Sequence, residues 1–355
     1  MQSKLIIEQH FHGCFGIDFN KASVDDVLYL SKEILKYGIG GIFPTLVTDS
    51  VGNIQKATAV IKEAAKKQTS DMAKILGIHL EGIFINPEKK GIHNPKHFLA
   101  PTVENYKLVE DDFIKIVTLA PELVIDEQGQ ENLIAYLRSK NIKVQAGHCI
   151  GGDLTGCTGV THLFNAMSGV AHRGETTALS ALVDDNIYTE IIGDGIHVSD
   201  KALELVFKSK PLDKIILISD SLPCTNYHPH PLREGKQLLA SCASDRDVGV
   251  GEKLEFVFAD EKVYYDGIKA TSKEGTIAGS TTMISKIIKR LMDEVFNPSH
   301  EFVNSHSLLT NSTLSHKGRG EIVSQLIQNP YNYHNIDLDG SIEWDEDFNI
   351  IKVNK

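Results

Sequence analysis

Short apolar runs alternate with longer amphipathic segments along most of the first 220 residues of the chain. The apolar runs predict strands, and they lie at 4–9, 40–47, 75–82, 114–122, 142–149, from 160, 186–195 and 213–220. The segments between them repeat apolar residues at the spacing of a helix face, and they lie at 23–38, 53–67, 103–112, 131–141, 176–185 and 200–210. The chain is therefore built from repeated strand–helix units.

These units favour one fold class. Strands that are apolar throughout and separated by amphipathic helices are typical of a parallel sheet with both faces covered. Eight such units favour closure into a (β/α)8 TIM barrel over an open doubly wound sheet. No GxGxxG motif follows the first strand, so a nucleotide-binding sheet has no support. A length of 355 residues suits a barrel, which takes about 250 residues, with a small appendage.

The pattern changes after residue 220. Residues 253–271 and 340–353 alternate apolar and polar positions, which predicts strands of a minor antiparallel β element, and helices are expected at 281–295 and 318–328. We therefore divide the chain into residues 1–225 with barrel strands 1 to 8, a small β insertion at 226–275, the final barrel helices at 276–335, and a C-terminal strand of the small, reduced β element at 336–355.

Charge and composition narrow the class of protein. The net charge of -11 and the absence of a basic block argue against nucleic acid and anionic membranes as partners. The N-terminal segment has neither a signal-peptide core nor a membrane span, so we expect a cytoplasmic protein. Five cysteines without CxxC spacing are typical of free thiols, not of a disulfide framework or a thiolate zinc site.

Residues of the types that ligate metals follow the ends of the predicted strands, where active sites of this fold lie. They are His10 and His12 after strand 1, Glu81 after strand 3, His148 after strand 5, His162 in strand 6, and Asp220 ending strand 8. Side chains two residues apart on a strand point to the same side, so both imidazoles of the HxH pair can face the barrel interior. Imidazole and carboxylate together suit zinc, iron or manganese, and a catalytic ion keeps an open position for water.

The motifs around these residues resemble one family, the N-acetylglucosamine-6-phosphate deacetylases of the amidohydrolase superfamily. THLFNAM and HLEG are its specific motifs, whereas HxH and AGS alone are weak. The matching segments are HFHGCFGID (10–18), GIHLEG with KGIH (77–82 and 90–93), LAPE (119–122), AGH (146–148), THLFNAM with HR (161–167 and 172–173), DGIHV (194–198), SDS (219–221) and AGS (278–280).

The resemblance implies a role for each matching residue. Glu81, His148 and His162 match the metal ligands, and His10 with His12 matches the pair that holds a second ion in some relatives. One or two divalent ions are therefore expected, with zinc favoured over iron or manganese. The implied substrate is a sugar phosphate, and Asp220 matches the carboxylate that handles the proton of the attacking water.

The resemblance also implies a set of substrate contacts. Arg173 corresponds to an arginine that reaches the phosphate of the neighbouring subunit in relatives, which implies a homodimer. The other expected contacts are Ile92 and His93 in KGIH, Asn165 and Ala166 in THLFNAM, His197 in DGIHV, and the pocket loop Ile277, Ala278 and Gly279.

This chain departs from the family pattern at several places. Ile83 replaces a proline, RGET replaces REPG after His172, and Ser219 and Ser221 flank Asp220 where the family has TDA. Residues 149–161 are too few and too glycine-rich for a regular crossover helix. Relatives also contribute strands ahead of the HxH pair to their small β domain, so we expect that domain to be reduced. These changes spare the metal site but affect the pocket.

We therefore expect metal-dependent removal of the acetyl group from N-acetylglucosamine 6-phosphate, in amino-sugar catabolism. A bound cation would lower the pKa of its water from about 15.7 towards about 7. Asp220 would take the water proton and return it to the leaving amine, while His93 hydrogen-bonds the oxyanion. The first alternative is an amidohydrolase acting on a different acylamino sugar or amide. The second is a catalytically silent scaffold that binds partners, and measuring the metal content of the pure protein would distinguish it from the two enzymes.

Overall fold

The strands and helices come from a computed structural model that describes residues 1–125, 132–226, 254–296 and 315–355. The strands are β1 (Gln2–Ser3), β2 (Ile6–Phe11), β3 (Gly13–Cys14), β4 (Ile17–Asp18), β5 (Ile39–Leu46), β6 (Lys74–Ile75), β7 (Ile78–Glu81), β8 (Ile114–Leu119), β9 (Lys143–Ala146), β10 (Gly159–Val160), β11 (Tyr188–Ile192), β12 (Ile215–Ile218), β13 (Leu254–Phe258), β14 (Glu261–Tyr265), β15 (Ala270–Ser272), β16 (Ile277–Gly279), β17 (Ser341–Trp344) and β18 (Ile350–Asn354). The helices are α1 (Val24–Leu35), α2 (Val51–Lys67), α3 (Val103–Lys107), α4 (Leu133–Ser139), α5 (Thr177–Val183), α6 (Asp200–Ser209), α7 (Ile284–Arg290) and α8 (His316–His334).

The main sheet is a parallel barrel whose strands follow one another in chain order. Neighbouring strands run β2-β5-β7-β8-β9-β10-β11-β12, and β6 adds to β5 outside this path. The eight predicted strands are all present, and the predicted (β/α)8 barrel is confirmed. β2 and β5 are buried along their whole length, because helices cover one face of the sheet and side chains fill the other.

Backbone contacts between the ends of β2 and β12 close the barrel. The Asp220 N–H donates to the His10 carbonyl at 2.9 Å, and the His12 N–H donates to the Ser221 carbonyl at 2.9 Å. Below them the buried Glu8 carboxyl accepts from the Ser219 N–H at 3.1 Å. The closure therefore fixes the first and last strands at the end where the candidate metal ligands lie.

The helices begin where the sequence provides caps and apolar faces. In α1, Ser23 and Asp26 form a capping box, which satisfies backbone N–H groups that the first turn leaves without partners. Its buried side includes Val27, Leu30 and Ile34, one helix face that packs on the barrel. α3 ends at Lys107, shorter than the predicted 103–112 helix.

The connection between β9 and β10 contains no helix, as its length predicted. Residues 149–158 run as irregular chain and turns. Leu154 and Cys157 of this segment are buried and belong to the main hydrophobic core. An ideal Cβ on Gly156 would lie 2.7 Å from the Ile134 side chain of α4, so this irregular segment packs directly against the neighbouring helix.

The two segments expected to share one minor β element belong to separate sheets. β13–β16 form a four-stranded antiparallel sheet, whereas β17 and β18 pair with β1. Because β1 directly precedes β2, its partners lie at the amino end of the barrel, while Ser280 pairs with Ser221 at the carboxyl end. The four-stranded sheet also extends to Gly279, beyond the expected boundary at 275. Residues 227–253 of the expected insertion lie outside the described residues.

Membrane-spanning helices and the state of the cysteines can be checked in the described residues. None of their helices combines the length and apolar character needed to cross a bilayer. Cys14, Cys149 and Cys157 are buried free thiols, as expected, and Cys242 lies outside the described residues.

Candidate active site

The side chains that end the barrel strands converge on Glu81, the last residue of β7. Its Oε1 lies 2.9 Å from His162 Nε2 and 3.3 Å from His148 Nε2. Its Oε2 lies 3.0 Å from His12 Nε2 and 3.3 Å from His10 Nε2. Glu81 is 1% exposed, so one buried carboxylate joins imidazoles from three parts of the barrel.

Asp220 completes the cluster from the end of β12. Its Oδ1 lies 3.3 Å from His12 Nε2 and 3.5 Å from His10 Nε2. The residues therefore form two groups whose ligand atoms lie within 4.8 Å of one another, namely Glu81, His148 and His162, and His10, His12 and Asp220. The predicted metal-ligand types are all brought together.

Several of these residues have left-handed backbone conformations. The φ angles are 50° for His148, 31° for His162 and 52° for Asp220, a region that residues other than glycine seldom adopt. Such strain concentrates at functional sites, where the surrounding structure holds it. His162 was expected within strand 6, but β10 ends at Val160, and the turn after the strand directs the imidazole to Glu81.

The ionised carboxylates of Glu81 and Asp220 favour positive charge on the groups between them. Burial opposes ionisation of Glu81, but His10 and the other imidazoles hold the pKa of Glu81 well below its usual range. Burial also opposes protonation of His12, but Asp220 and Glu81 raise its pKa to about 9. In the same way, His12 and His10 outweigh burial and lower the pKa of Asp220. A cation at the centre can satisfy the same carboxylates.

Hydrogen bonds to the Nδ1 atoms of His148 and His10 leave the Nε2 atoms of these two rings available as ligands. His148 Nδ1–H donates to the Lys89 carbonyl at 2.7 Å, which leaves its Nε2 with a lone pair. Glu190 Oε2 lies 3.0 Å from His10 Nδ1, and among the described residues His10 Nε2 has no hydrogen-bond partner. Carboxylate and carbonyl partners of this kind orient metal-ligating histidines. The donor set therefore fits one or two divalent ions.

Sequence reasoning missed three buried polar residues beneath this cluster. Glu190 holds His10, Glu8 accepts the His10 N–H at 3.2 Å, and His79 lies 4.6 Å from the His10 ring. His79 is not available to an ion, because its Nδ1–H donates to the Gln9 carbonyl and its Nε2 accepts from Thr118. The signal was present in the sequence, since Glu8 and His79 lie two residues from predicted ligands and thus on the same strand face.

A cavity of about 380 Å³ opens above the metal-ligand cluster. It is lined by most of the predicted site, namely His12, Glu81, Ile92, His93, His148, His162, Asn165, Ala166, His197, Asp220, Ile277, Ala278 and Gly279. His10 lies below the cavity and is completely buried. The segment Ile277–Gly279, expected as a loop, is β16 of the four-stranded sheet, so a strand forms this wall.

Two histidines on the cavity wall have fixed orientations. His93 is 2% exposed, and its Nδ1 lies 2.7 Å from Thr48 Oγ1. Burial and the neighbouring His148 lower the pKa of His93 well below its usual range, so the ring is neutral. His197 Nδ1–H donates to Asp194 at 2.8 Å, and this carboxylate outweighs burial to raise the pKa of His197.

The cavity differs from the expected pocket at its outer end. Arg173 is exposed and does not line the cavity of its own chain. Lining residues that sequence reasoning did not single out are Glu88, Lys89, Gly91 and Thr276. Lys89 directly precedes the KGIH motif and Gly91 lies inside it, but neither a charged residue at the surface nor a glycine has a periodic signal that would identify it as a lining residue.

Comparison with curated proteins identifies relatives of this chain, although no family model matches it. It is 32% identical over 312 residues to the N-acetylglucosamine-6-phosphate deacetylase of Bacillus subtilis, covering 84% of this chain and 69% of that enzyme. It is 26% identical over 299 residues to the N-acetylgalactosamine-6-phosphate deacetylase of Shewanella sp., covering 81% of this chain and 68% of that enzyme.

Solved structures agree on the fold. The N-acetylglucosamine-6-phosphate deacetylase of Thermotoga maritima superposes with a TM-score of 0.77 at 21% identity, covering 100% of this chain and 87% of that one. The similarity to the Bacillus enzyme covers 84% of this chain and 69% of that enzyme at 32% identity. The chain belongs to the N-acetylglucosamine-6-phosphate deacetylase family.

Proposed function

We propose that this chain hydrolyses the acetamido bond of N-acetylglucosamine 6-phosphate, giving acetate and glucosamine 6-phosphate in amino-sugar catabolism. The convergence of four imidazoles on Glu81 and Asp220, at the floor of a cavity lined by the family motifs, carries the proposal. The similarity to deacetylases of phosphorylated acetamido sugars supports the same conclusion.

We assign Glu81, His148 and His162 to one divalent ion, and His10 and His12 with Asp220 to a second. Zinc suits this imidazole-rich set, and iron or manganese would accept the same donors. A bound divalent ion supplies Lewis acidity, which makes water more acidic and polarises a carbonyl oxygen.

Protein groups around the ion sites supply the proton transfers. Asp220 is ionised at neutral pH because its pKa is lowered, so it can accept the proton of the attacking water. The same carboxyl then delivers the proton to the leaving nitrogen, which departs as a neutral amine. His93 is neutral and lines the cavity, where it can donate a hydrogen bond to the developing oxyanion.

The outer cavity is assigned to the sugar phosphate. Ile92, Ile277, Ala278 and Gly279 form its wall, while the side chains of Asn165 and His197 and the backbone of Ala166 offer polar contacts. His197 can carry a positive charge there, because Asp194 raises its pKa. We infer that Arg173 completes the phosphate site of a second copy, which makes the functional unit a homodimer.

A different acylamino sugar is the second candidate substrate. Relatives include N-acetylgalactosamine-6-phosphate deacetylases at 25% and 26% identity, and this chain departs from the family motif around Arg173. A silent scaffold is disfavoured, because a protein that only binds partners has no need of buried, converging carboxylates and imidazoles. The cytoplasmic location and the lack of nucleic-acid partners stay predictions from composition.

An acetate-release assay on pure protein tests the proposal. The panel contains N-acetylglucosamine and N-acetylgalactosamine, each with and without the 6-phosphate, and metal content is measured in parallel. We expect the highest kcat/KM with N-acetylglucosamine 6-phosphate and a divalent metal in the protein. Preference for the galactose epimer would move the function to the second candidate, and a metal-free, inactive protein would support the scaffold.

A further inference from the structure

Thr48 is a buried residue just after β5 that contacts the cavity wall from behind. Its hydroxyl oxygen lies 2.7 Å from His93 Nδ1 and 3.0 Å from the backbone nitrogen of Ile83. Thr48 and His93 are both 2% exposed, so bulk water does not compete for either contact. Neither the family motifs nor the metal cluster includes this threonine.

The hydrogen atoms of this contact can be assigned by donor and acceptor capacity. A threonine hydroxyl has one hydrogen to donate, and a backbone N–H can only donate. The Ile83 N–H therefore donates to Thr48, and within the described part of the chain His93 Nδ1 is the only other partner of the hydroxyl. The hydroxyl oxygen could accept a second N–H from His93, but its own buried hydrogen would then have no acceptor within the described residues. Thr48 therefore donates to Nδ1, and the His93 ring carries its hydrogen on Nε2.

This tautomer directs a hydrogen-bond donor towards the reacting groups. His93 Nε2 lies 3.9 Å from Glu81 Oε2, and His93 lines the cavity above the metal-ligand cluster. The other tautomer would present a lone pair at the same place, where it would repel a carbonyl oxygen gaining negative charge. The direction of one hydrogen bond behind the wall thus decides whether His93 can stabilise an oxyanion.

The backbone around this contact is shaped to make it. Gly82 has φ 111°, and an ideal Cβ there would lie 2.0 Å from Thr48 Oγ1 and 2.8 Å from His93 Nδ1. Ile83 has φ 58°, which is strained for a β-branched residue. A proline at 83 could neither adopt this angle nor donate a hydrogen bond, so the isoleucine in this chain is what provides the N–H to Thr48.

We propose that Thr48 is a positioning residue, which fixes His93 as the tautomer with hydrogen on Nε2 and so makes it an oxyanion donor. The catalytic part of this inference rests on the proposed function, whereas the tautomer itself depends only on the geometry of Thr48, Ile83 and His93. Thr48→Val removes the hydroxyl at nearly constant shape, and Thr48→Ser retains it.

The tautomer is measured by long-range ¹H–¹⁵N correlation spectra of zinc-loaded protein with ¹⁵N-labelled histidine, and His93→Gln identifies the His93 signals. We expect a pyridine-type Nδ1 in the wild type and in Thr48→Ser, and a pyrrole-type or mixed Nδ1 in Thr48→Val. An unchanged Nδ1 signal in Thr48→Val overturns the proposal. If the valine variant does not fold, Thr48→Ala replaces it in the same comparison.

Kinetics on N-acetylglucosamine 6-phosphate test the catalytic part. We expect Thr48→Val to lower kcat about 10- to 100-fold, below the loss of a whole oxyanion donor, with KM nearly unchanged and Thr48→Ser close to wild type. In a His93→Gln background, Thr48→Val should have no further effect, because Thr48 acts through His93. Equal effects in both backgrounds would make Thr48 merely structural. An inactive wild type with the expected spectra would instead refute the proposed function.

Discussion

Asp220 and Glu81 are the two carboxylates of the metal-ligand cluster, and their surroundings differ. Its carboxylate lies beside His12 and His10, yet it also lines the cavity where substrate would bind. Glu81 also lines the cavity, but it is 1% exposed against 8% for Asp220, and both of its oxygens face imidazoles. The two carboxylates therefore lie in different environments. Replacing each one with its amide should have a different effect, on turnover for Asp220 and on metal binding for Glu81.

We expect Asp220→Asn to keep at least the ion held by Glu81, His148 and His162 while lowering kcat by about 100-fold or more. A positioned general acid or base contributes on that scale, and an amide cannot accept the water proton. Turnover on N-acetylglucosamine 6-phosphate and metal content of the pure variant are the measurements. Turnover near that of the wild type would remove Asp220 as the base.

Glu81→Gln should fail chiefly by losing metal. A neutral amide is a poorer ligand than a carboxylate for a divalent ion, and Glu81 contacts the imidazoles of both groups of ligand atoms. Metal content after dialysis is the measurement. Glu88→Gln is the matched control, because Glu88 lines the cavity outside the groups of converging ligand atoms and should retain metal. Full occupancy in Glu81→Gln would exclude it as a ligand.

At the scale of elements, α5 and α6 are joined through a buried lysine. Lys210 follows α6, is 0% exposed and donates to the Ala181 carbonyl at 2.8 Å and to the Asp184 carbonyl. Burial lowers its pKa to about 8 from 10.5, although Asp184 and Asp185 partly offset the effect. The C-terminal carbonyls of α5 thus bind an ammonium group at some electrostatic cost.

The pH dependence of folding follows from that pKa. Between pH 8 and 10.5 the unfolded chain keeps the Lys210 proton while the folded chain loses it, so the free energy of unfolding rises with pH. Relative to Lys210→Met, the wild type should gain up to about 3 kcal/mol across this window. Urea unfolding of both proteins at several pH values measures the difference. A constant difference would mean that Lys210 titrates normally.

At the scale of the whole molecule, the proposed homodimer rests on Arg173. In one chain it is exposed and away from the cavity lining. If it serves the site of a second subunit, Arg173→Ala should raise KM for the phosphorylated sugar and leave kcat nearly unchanged. The expected loss in kcat/KM is about 10- to 100-fold, the range of a charge-assisted hydrogen bond. The unphosphorylated sugar should be unaffected, as should Arg138→Ala, a control at another exposed arginine.

Mixed subunits show whether Arg173 acts across an interface. When Arg173→Ala and Asp220→Asn are co-expressed with different tags, a mixed dimer has one site with Asp220 in one subunit and Arg173 from the other. We expect its kcat/KM for the phosphorylated sugar to exceed that of both parent variants. No gain in the purified mixed dimer would mean that Arg173 acts within its own chain or not at all.

The sequence by itself determined the barrel and most of the chemistry. Strand and helix periodicity follows from which positions face the core, so eight strands were visible without long-range information. Because active-site groups of a barrel follow the strand ends, His12, Glu81, His148 and Asp220 could be assigned to one site before any contact was known.

Only the tertiary structure decided which surfaces meet. It separated β17–β18 from β13–β16, because strand pairing depends on which end of the barrel each segment reaches. It also brought Thr48 behind His93 and Glu190 behind His10, contacts between residues far apart in the chain that periodicity does not encode. Local pattern thus fixed the elements and their polar ends, whereas hydrogen-bond direction and ring tautomer depended on the folded neighbours of each side chain.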